Sequence, residues 1–379
     1  MASPLYLTIL TGPVTVSPVS KTLIDALVSV EVNVSATAKS GFQLSFTLAN
    51  NSPLQLFFLL SMGAPLPIVR VILVTNFGGM PQVIMDGIVK HTQVVPDAMQ
   101  GTFTLNITGE DLSALMDLTD ASGMTFPNMT PDVRVQTILG KYGAFGIVPN
   151  VSPVPTPNVE TPAERVHSQK GTDLAYIQQL AKEAGYVFYI QPGPQPGSSQ
   201  AYWGPQIKMG VPQPALNVNM DTWTNVESLN FRYEPQNAIT PIVYIQDQDS
   251  GQSQQIPISS TNNLLDPPLG AVIPVPQKTE YLKDTAKLPP AQAMMIGMAR
   301  ASETADIVTG DGTLSVLRYG GILQARQLVG VRGAGQAFDG LYYVDSTKHQ
   351  IKLGEYKQSF TLKRNGLVSN VPTVPTMPF

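Results

Sequence analysis

The chain has no cysteine, which excludes disulfide scaffolds and every cysteine-ligated zinc or iron–sulfur site. Histidine is almost as scarce: His91, His167 and His349 are the only three, none with a second histidine or an acid cluster at metal-ligand spacing, so hydrogen-bonded strand or loop histidines are expected. Charge is sparse too, 13% of residues against roughly 25% in ordinary soluble domains. With 23 Lys+Arg against 27 Asp+Glu, a net charge of −4 and no basic run, nothing offers a footprint to phosphate backbones, and sequence-specific nucleic-acid binding is not expected. No G-x-S-x-G, H-E-x-x-H or G-x-x-x-x-G-K-[ST] occurs, and Gly333-Ala-Gly335-Gln-Ala-Phe338 lacks the third glycine of a dinucleotide loop. Neither catalytic residues, nor a cofactor, nor a bound metal is therefore expected. Asp247-Gln-Asp249-Ser-Gly251 begins like a calcium loop, but its glycine comes one place early and Ile258 stands where a bidentate glutamate is needed, so it reads as a solvated loop.

What is present is a long chain of 379 residues, 43% of them hydrophobic, enough for two or three domains with real cores. So few charges over the roughly 14,000–15,000 Å² that a chain of this mass exposes when folded alone leave wide uncharged regions, and these suit protein interfaces. The alternative is a monomer covered by Ser, Thr, Asn and Gln. The start Met1-Ala-Ser-Pro-Leu-Tyr6 has no basic n-region, so no secretory signal is expected and assembly in the cytoplasm follows. Residues 54–74 are apolar over a spanning length, but Gln55, Pro65, Pro67 and Arg70 speak against insertion in a membrane. The segment reads as a helix over 54–60, a turn, and a strand over 68–75. Leu54, Leu56, Phe57, Phe58, Leu59 and Leu60 are then either core or an assembly surface.

Alternation of period two marks strands over 28–34, 42–48 and 103–107, so residues 1–109 read as a β-barrel domain. Between 110 and 200 the pattern is mixed α/β. Acidic Glu110 and Asp111 open a short helix, Thr130-Pro131-Asp132 opens another that ends at Gly140, and Thr172 caps a third that Gly185 stops. Pro149, Pro153, Pro155, Pro157 and Pro162 mark a loop, and residues 191–197 a turn or linker. Strands return over 226–233, 242–246, 314–319, 327–333, 341–346 and 358–363, with loop excursions at 247–305 in which Pro290 opens a helix bearing Met294, Met295 and Met298. Residues 201–370 thus form a second barrel domain, and 371–379 a proline-rich, extended tail. An internal repeat matches 69–109 to 328–366, pairing Asp86-Gly87 with Asp339-Gly340 and Phe103-Thr-Leu105 with Phe360-Thr-Leu362. Three chains would then present six similar barrels. The fold class is a β-rich α+β protein: two tail-tube-like β-barrel domains around an inserted mixed α/β domain.

Several blocks resemble the late control D family, baseplate hubs of contractile phage tails and contractile injection systems. They are Phe103-Thr-Leu-Asn-Ile-Thr-Gly-Glu-Asp-Leu-Ser-Ala-Leu-Met-Asp117, Gly171-Thr-Asp-Leu-Ala-Tyr-Ile177, Ala184-Gly-Tyr-Val-Phe-Tyr189, Tyr202-Trp-Gly-Pro205, Leu317-Arg-Tyr-Gly320, Leu328-Val-Gly-Val-Arg-Gly-Ala-Gly335 and Asp339-Gly-Leu-Tyr-Tyr343. The resemblance implies a homotrimer that joins a hexameric inner tube protein to a trimeric spike protein, with other baseplate components around it and no catalytic residues. Since the chain reaches Phe379 without a β-helix repeat, the spike is expected to be a separate protein. Two other classes compete. A tail-associated cell-wall-degrading hydrolase would use Glu110/Asp111 or Glu227/Glu234. A free-standing carbohydrate-binding protein would use Tyr202, Trp203, Trp223 and Tyr233, for which core packing is the default expectation.

Overall fold

A computed structural model of the chain describes residues 6–49, 68–97, 101–154, 167–246, 252–259 and 266–371. The first third forms strands β1 (Tyr6–Gly12), β2 (Ser17–Pro18), β3 (Leu27–Ser35), β4 (Gly41–Ala49), β5 (Arg70–Phe77), β6 (Met80–Asp97) and β7 (Thr102–Asp111), with helix α1 (Lys21–Asp25) before β3. A module follows: a 3-10 turn (Leu112–Asp117), β8 (Thr125–Phe126), α2 (Pro131–Gly140), β9 (Ile147–Val151), β10 (His167–Ser168), α3 (Asp173–Ala184), β11 (Val187–Pro192) and β12 (Ser199–Gly204). The last part carries β13 (Gln213–Asn217), β14 (Ser228–Tyr233), β15 (Ile239–Gln246), β16 (Ser253–Pro257), β17 (Gly270–Val272), β18 (Lys278–Leu282), α4 (Pro290–Ala305), β19 (Val308–Ser315), α5 (Val316–Tyr319), β20 (Leu328–Arg332), β21 (Gly340–Lys352), β22 (Glu355–Arg364) and β23 (Leu367–Ser369).

Thirteen strands from both ends of the chain join in one sheet, along the path β14-β19-β22-β21-β3-β4-β7-β6-β5-β1-β2 with β20 and β13 branching from β21. Its apolar face is shared: Val30, Leu44, Phe46, Leu105 and Ile107 from the first third belong to one buried cluster with Val331, Val344, Phe360 and Leu362 from the last. The sequence alternation produces this face directly, with Val30 and Val32 fully buried. Val28 is the exception, 49% exposed, because the pairing of Leu27 with Phe46 and of Ser29 with Ser45 leaves it as an extra residue in a bulge.

The module has its own core. Thr172 accepts from the Ala175 amide at 3.2 Å to cap α3, whose Leu174, Ile177, Leu180 and Ala184 pack with Leu115, Val135, Ile138 and Trp203. Gly185 closes α3 in the left-handed region, φ 67°. Acidic residues do not sit in the first turn after β7 as expected; Glu110 and Asp111 complete the strand, and Asp111 caps a 3-10 turn by accepting from the Ser113 amide at 2.9 Å. Residues 191–197 turn the β11–β12 hairpin, and Pro149 lies in β9, which pairs with β12 in parallel.

One expected strand differs. The stretch 314–319 is strand only to Ser315, then a helical turn, α5, that Gly320 ends at φ 80°. The strand itself begins earlier, at Val308, through Gly310 and Gly312. A Cβ at Gly310 would come 2.9 Å from the Phe231 ring and one at Gly312 would come 2.5 Å from the Phe360 ring, so aromatic side chains cover these glycines and fill the space a side chain would take. The helix opened by Pro290 is present as α4, where Met294 and Met298 pack on Val243 and Ile258.

Candidate assembly interface

The two halves of the sheet, one from the first third of the chain and one from its last part, are built alike. The first runs β1-β5-β6-β7-β4-β3 and the last β13-β20-β21-β22-β19-β14, with the strands entering each path in the same chain order. The difference lies at one edge, where β1 pairs β5 antiparallel and β13 pairs β20 parallel. Both long strands carry one bulge at the same place: between Val89 and His91 opposite β7, and between Val344 and Ser346 opposite β22. The amides of Val89 and Val344 each donate at 2.9 Å to the carbonyl before the preceding strand, Val69 and Gln327. This register fixes the equivalence of the copies. Asp86 falls on Leu341 and Phe103 on Tyr356, so the Asp-Gly and Phe-Thr-Leu matches in the sequence are offset by two and four positions from the structural repeat.

The copies meet where β3 pairs β21 antiparallel, from Ser35 against Ser346 to Ser29 against Lys352. Alternate positions turn inward, so Val30, Val32, Thr347, His349 and Ile351 are all buried. On the outer face Lys348 pairs with Glu31 at 2.8 Å. The Asp345 carbonyl accepts from the Ala36 amide at 2.8 Å. Burial pushes the His349 pKa down to about 4, and its Nδ1 lies 2.7 Å from the Tyr356 hydroxyl. Arg326 ties in the module: its guanidinium donates to the Ser35 carbonyl and lies 4.0 Å from the centre of the Tyr189 ring. Burial lowers its pKa.

A buried ion pair and a buried ion triad fix the insertions. Arg70 of β5 holds Asp86 of β6 at 2.8 and 2.6 Å, and the Asp86 carboxylate also accepts from the Ser199 hydroxyl of β12 at 2.9 Å. Lys208 lies 2.8 Å from Asp306 and 3.3 Å from Asp266. Burial opposes the Lys208 charge, but the two carboxylates prevail and raise its pKa; burial dominates at Asp306 and raises it.

The residues expected for chemistry are dispersed. Glu110 faces Lys39 at 3.6 Å and Glu227 faces Lys357 at 3.2 Å, while Glu227 and Glu234 flank opposite ends of β14. Among the described residues no three His, Asp or Glu side chains are placed to hold a metal, and no helix is long and apolar enough to cross a membrane. A cavity of about 510 Å³ opens between β6, the β11–β12 turn and residues 322–326. Of the hydroxyls on its wall, that of Ser199 donates to Asp86, and that of Thr347 lies 3.5 Å from Nε2 of His349, whose Nδ1 faces the Tyr356 hydroxyl. Trp203 is fully buried, with Nε1 3.3 Å from the Ile177 carbonyl, and Tyr202 is buried beside it. Trp223 departs from the core expectation and is 70% exposed on a short 3-10 turn outside the sheet. Leu54, Leu56, Phe57, Phe58, Leu59 and Leu60 lie outside the described residues, as does the stretch 247–251.

Neither a protein-family model nor a curated protein matches the sequence. Solved structures do match the fold. The tail protein from Neisseria meningitidis MC58 aligns over 96% of this chain and 98% of its own, with a TM-score of 0.63 and 12% identity. The 43 kDa tail protein of prophage MuSo2 from Shewanella oneidensis aligns over 96% and 99%, with a TM-score of 0.60 and 16% identity. A type VI secretion system component of Escherichia coli, described as similar to the bacteriophage T4 tail proteins gp27 and gp5, aligns over 93% and 76%, with a TM-score of 0.53 and 11% identity. The chain therefore has the fold of phage tail proteins and of a type VI secretion component, as the sequence blocks led one to expect. The sheet shared by both ends of the chain is the β-rich part of that fold.

Proposed function

We propose that this chain is the structural baseplate hub of a contractile tail or contractile injection system: three copies form a ring that joins a hexameric inner tube to a trimeric spike. The observation that carries this reading is the duplication. One chain holds two units of the same strand order joined edge to edge, so three chains supply six equivalent units, and a threefold object can dock on a sixfold one. The tail proteins that share the fold over nearly their whole length support it.

On this reading the tail-tube-like barrel is a property of the ring. Each chain contributes an open stretch of sheet to it, the module, β15, β16, β18 and α4 lie outside that wall, and the particle is put together in the cytoplasm. The apolar run containing Phe57 and Phe58 is assigned to a contact with another baseplate component. Light scattering on the purified full chain should give about three times the 40.7 kDa chain mass. A stable monomer at the concentrations used for particle assembly would overturn the reading.

A further inference from the structure

We infer that the ring closes through one defined strand pair, the outer edge of β14 against the far half of β6 in the next copy, in the register that β3 and β21 use within the chain. The inference rests on the ring reading above and adds to it the two edges and their alignment. Within the chain β21 serves two partners on one side, β20 along 340–343 and β3 along 346–352. β6 is built the same way: it is 18 residues long, β5 covers it only as far as Ile88, and β7 runs along its other side to the end. From Gln93 onward no described strand occupies the side that β21 gives to β3. β14, the counterpart of β3, pairs with β19 and with no second described strand. Among the described residues each chain thus presents uncovered the two halves of a junction that it also contains covered.

Burial follows the same division. Val30, Val32, His349 and Ile351 of the covered junction are buried. Their counterparts Leu229, Phe231 and Val94 are only half-buried, and Pro96 is exposed. Carrying the internal register across by the equivalence of the bulges places Gln93 opposite Arg232, Val94 opposite Phe231, Val95 opposite Asn230 and His91 opposite Glu234. No like charges face each other, and His91 meets an acid. Pro96 and Pro235 lie at opposite ends of this segment. Neither can donate a ladder hydrogen bond, so the edges pair over a short stretch and are blunted against longer, unspecific pairing. The junction is head-to-tail, and such junctions repeat around a ring.

The absence of native cysteine makes the register readable by disulfide trapping, because every thiol is an introduced one. Val95 and Asn230 are both exposed, so cysteines there leave the folded chain intact. Under mild oxidation the Val95→Cys/Asn230→Cys variant should form reducible species up to the linked ring, while each single variant and the shifted pair Val95→Cys/Arg232→Cys stay at chain mass. A second set checks the same edge without oxidation. Val95→Glu/Asn230→Glu should release monomer, and Val95→Glu/Asn230→Lys should restore the ring. A trimer by mass that links at the shifted pair or at neither, or that survives the double glutamate, overturns the edge assignment and leaves the hub reading standing. A wild-type chain that is monomeric, together with a Val95→Cys/Asn230→Cys variant that stays at chain mass, overturns both.

Discussion

His349 shows how one side chain comes to report on the junction. It faces Val32 across the ladder, is 4% exposed, and its pKa is held down to about 4 by burial, against about 6.5 in an unfolded chain. Above pH 6.5 both states are neutral and the fold keeps its full stability; as pH falls from 6.5 to 4 the unfolded chain takes up the proton first, so stability declines, by up to about 3 kcal/mol, and then levels. Denaturant unfolding at pH 7.5, 5.5 and 4.5 should show this slope in the wild type, and a flatter one in His349→Gln. Equal slopes would remove His349 as the cause. None of this was legible in the sequence, where His349 is an isolated histidine in an alternating strand. The partner that buries it, β3, lies some 315 positions earlier. Arg70 has a role hidden for the same reason: as a charge it speaks against membrane insertion, and in the fold it is buried against Asp86 with module and sheet closed around the pair.

At the scale of elements, local chemistry was a good guide where the signal and its cause lie within one segment. Thr172 and Gly185 bound α3, and the alternation over 42–48 gives β4, because capping and period-two burial are properties of neighbours in sequence. Strands whose side chains are supplied from elsewhere were missed. β19 is legible in the alternation only at its end, because Gly310 and Gly312 carry no side chain to show the period, and the rings of Phe231 and Phe360 that cover them come from β14 and β22. Gly109 in β7 is the matching case in the first unit. A Cβ there would stand 2.3 Å from the Phe42 ring and 2.4 Å from the Ile88 carbonyl oxygen. Gly109→Ala should cost about 1–3 kcal/mol in denaturant unfolding. Adding Phe42→Leu should restore only part of it, because the Ile88 carbonyl cannot move without breaking the β6–β7 ladder. Full rescue by Phe42→Leu would show that the ring alone forbids a side chain.

For the molecule as a whole, the joint between β3 and β21 makes two units one cooperative body. The apolar cluster crosses the joint and β3 has no other strand on that side, so neither unit can open without exposing the face of the other. Calorimetry of the full chain should show the two units melting together, and a separate early transition for either would contradict the shared core. The sequence by itself determined the scarcity of charge, the β-rich class, the helices of the module and the existence of a repeat, because each is written in composition or in short-range periodicity. Only the tertiary structure decided how the repeat is aligned, that its two copies share one sheet, and which strand edges stay open. Those outcomes depend on ladder register and on bulges, which are settled by contacts between residues hundreds of positions apart, and a period-two pattern reads the same whichever strand lies beside it.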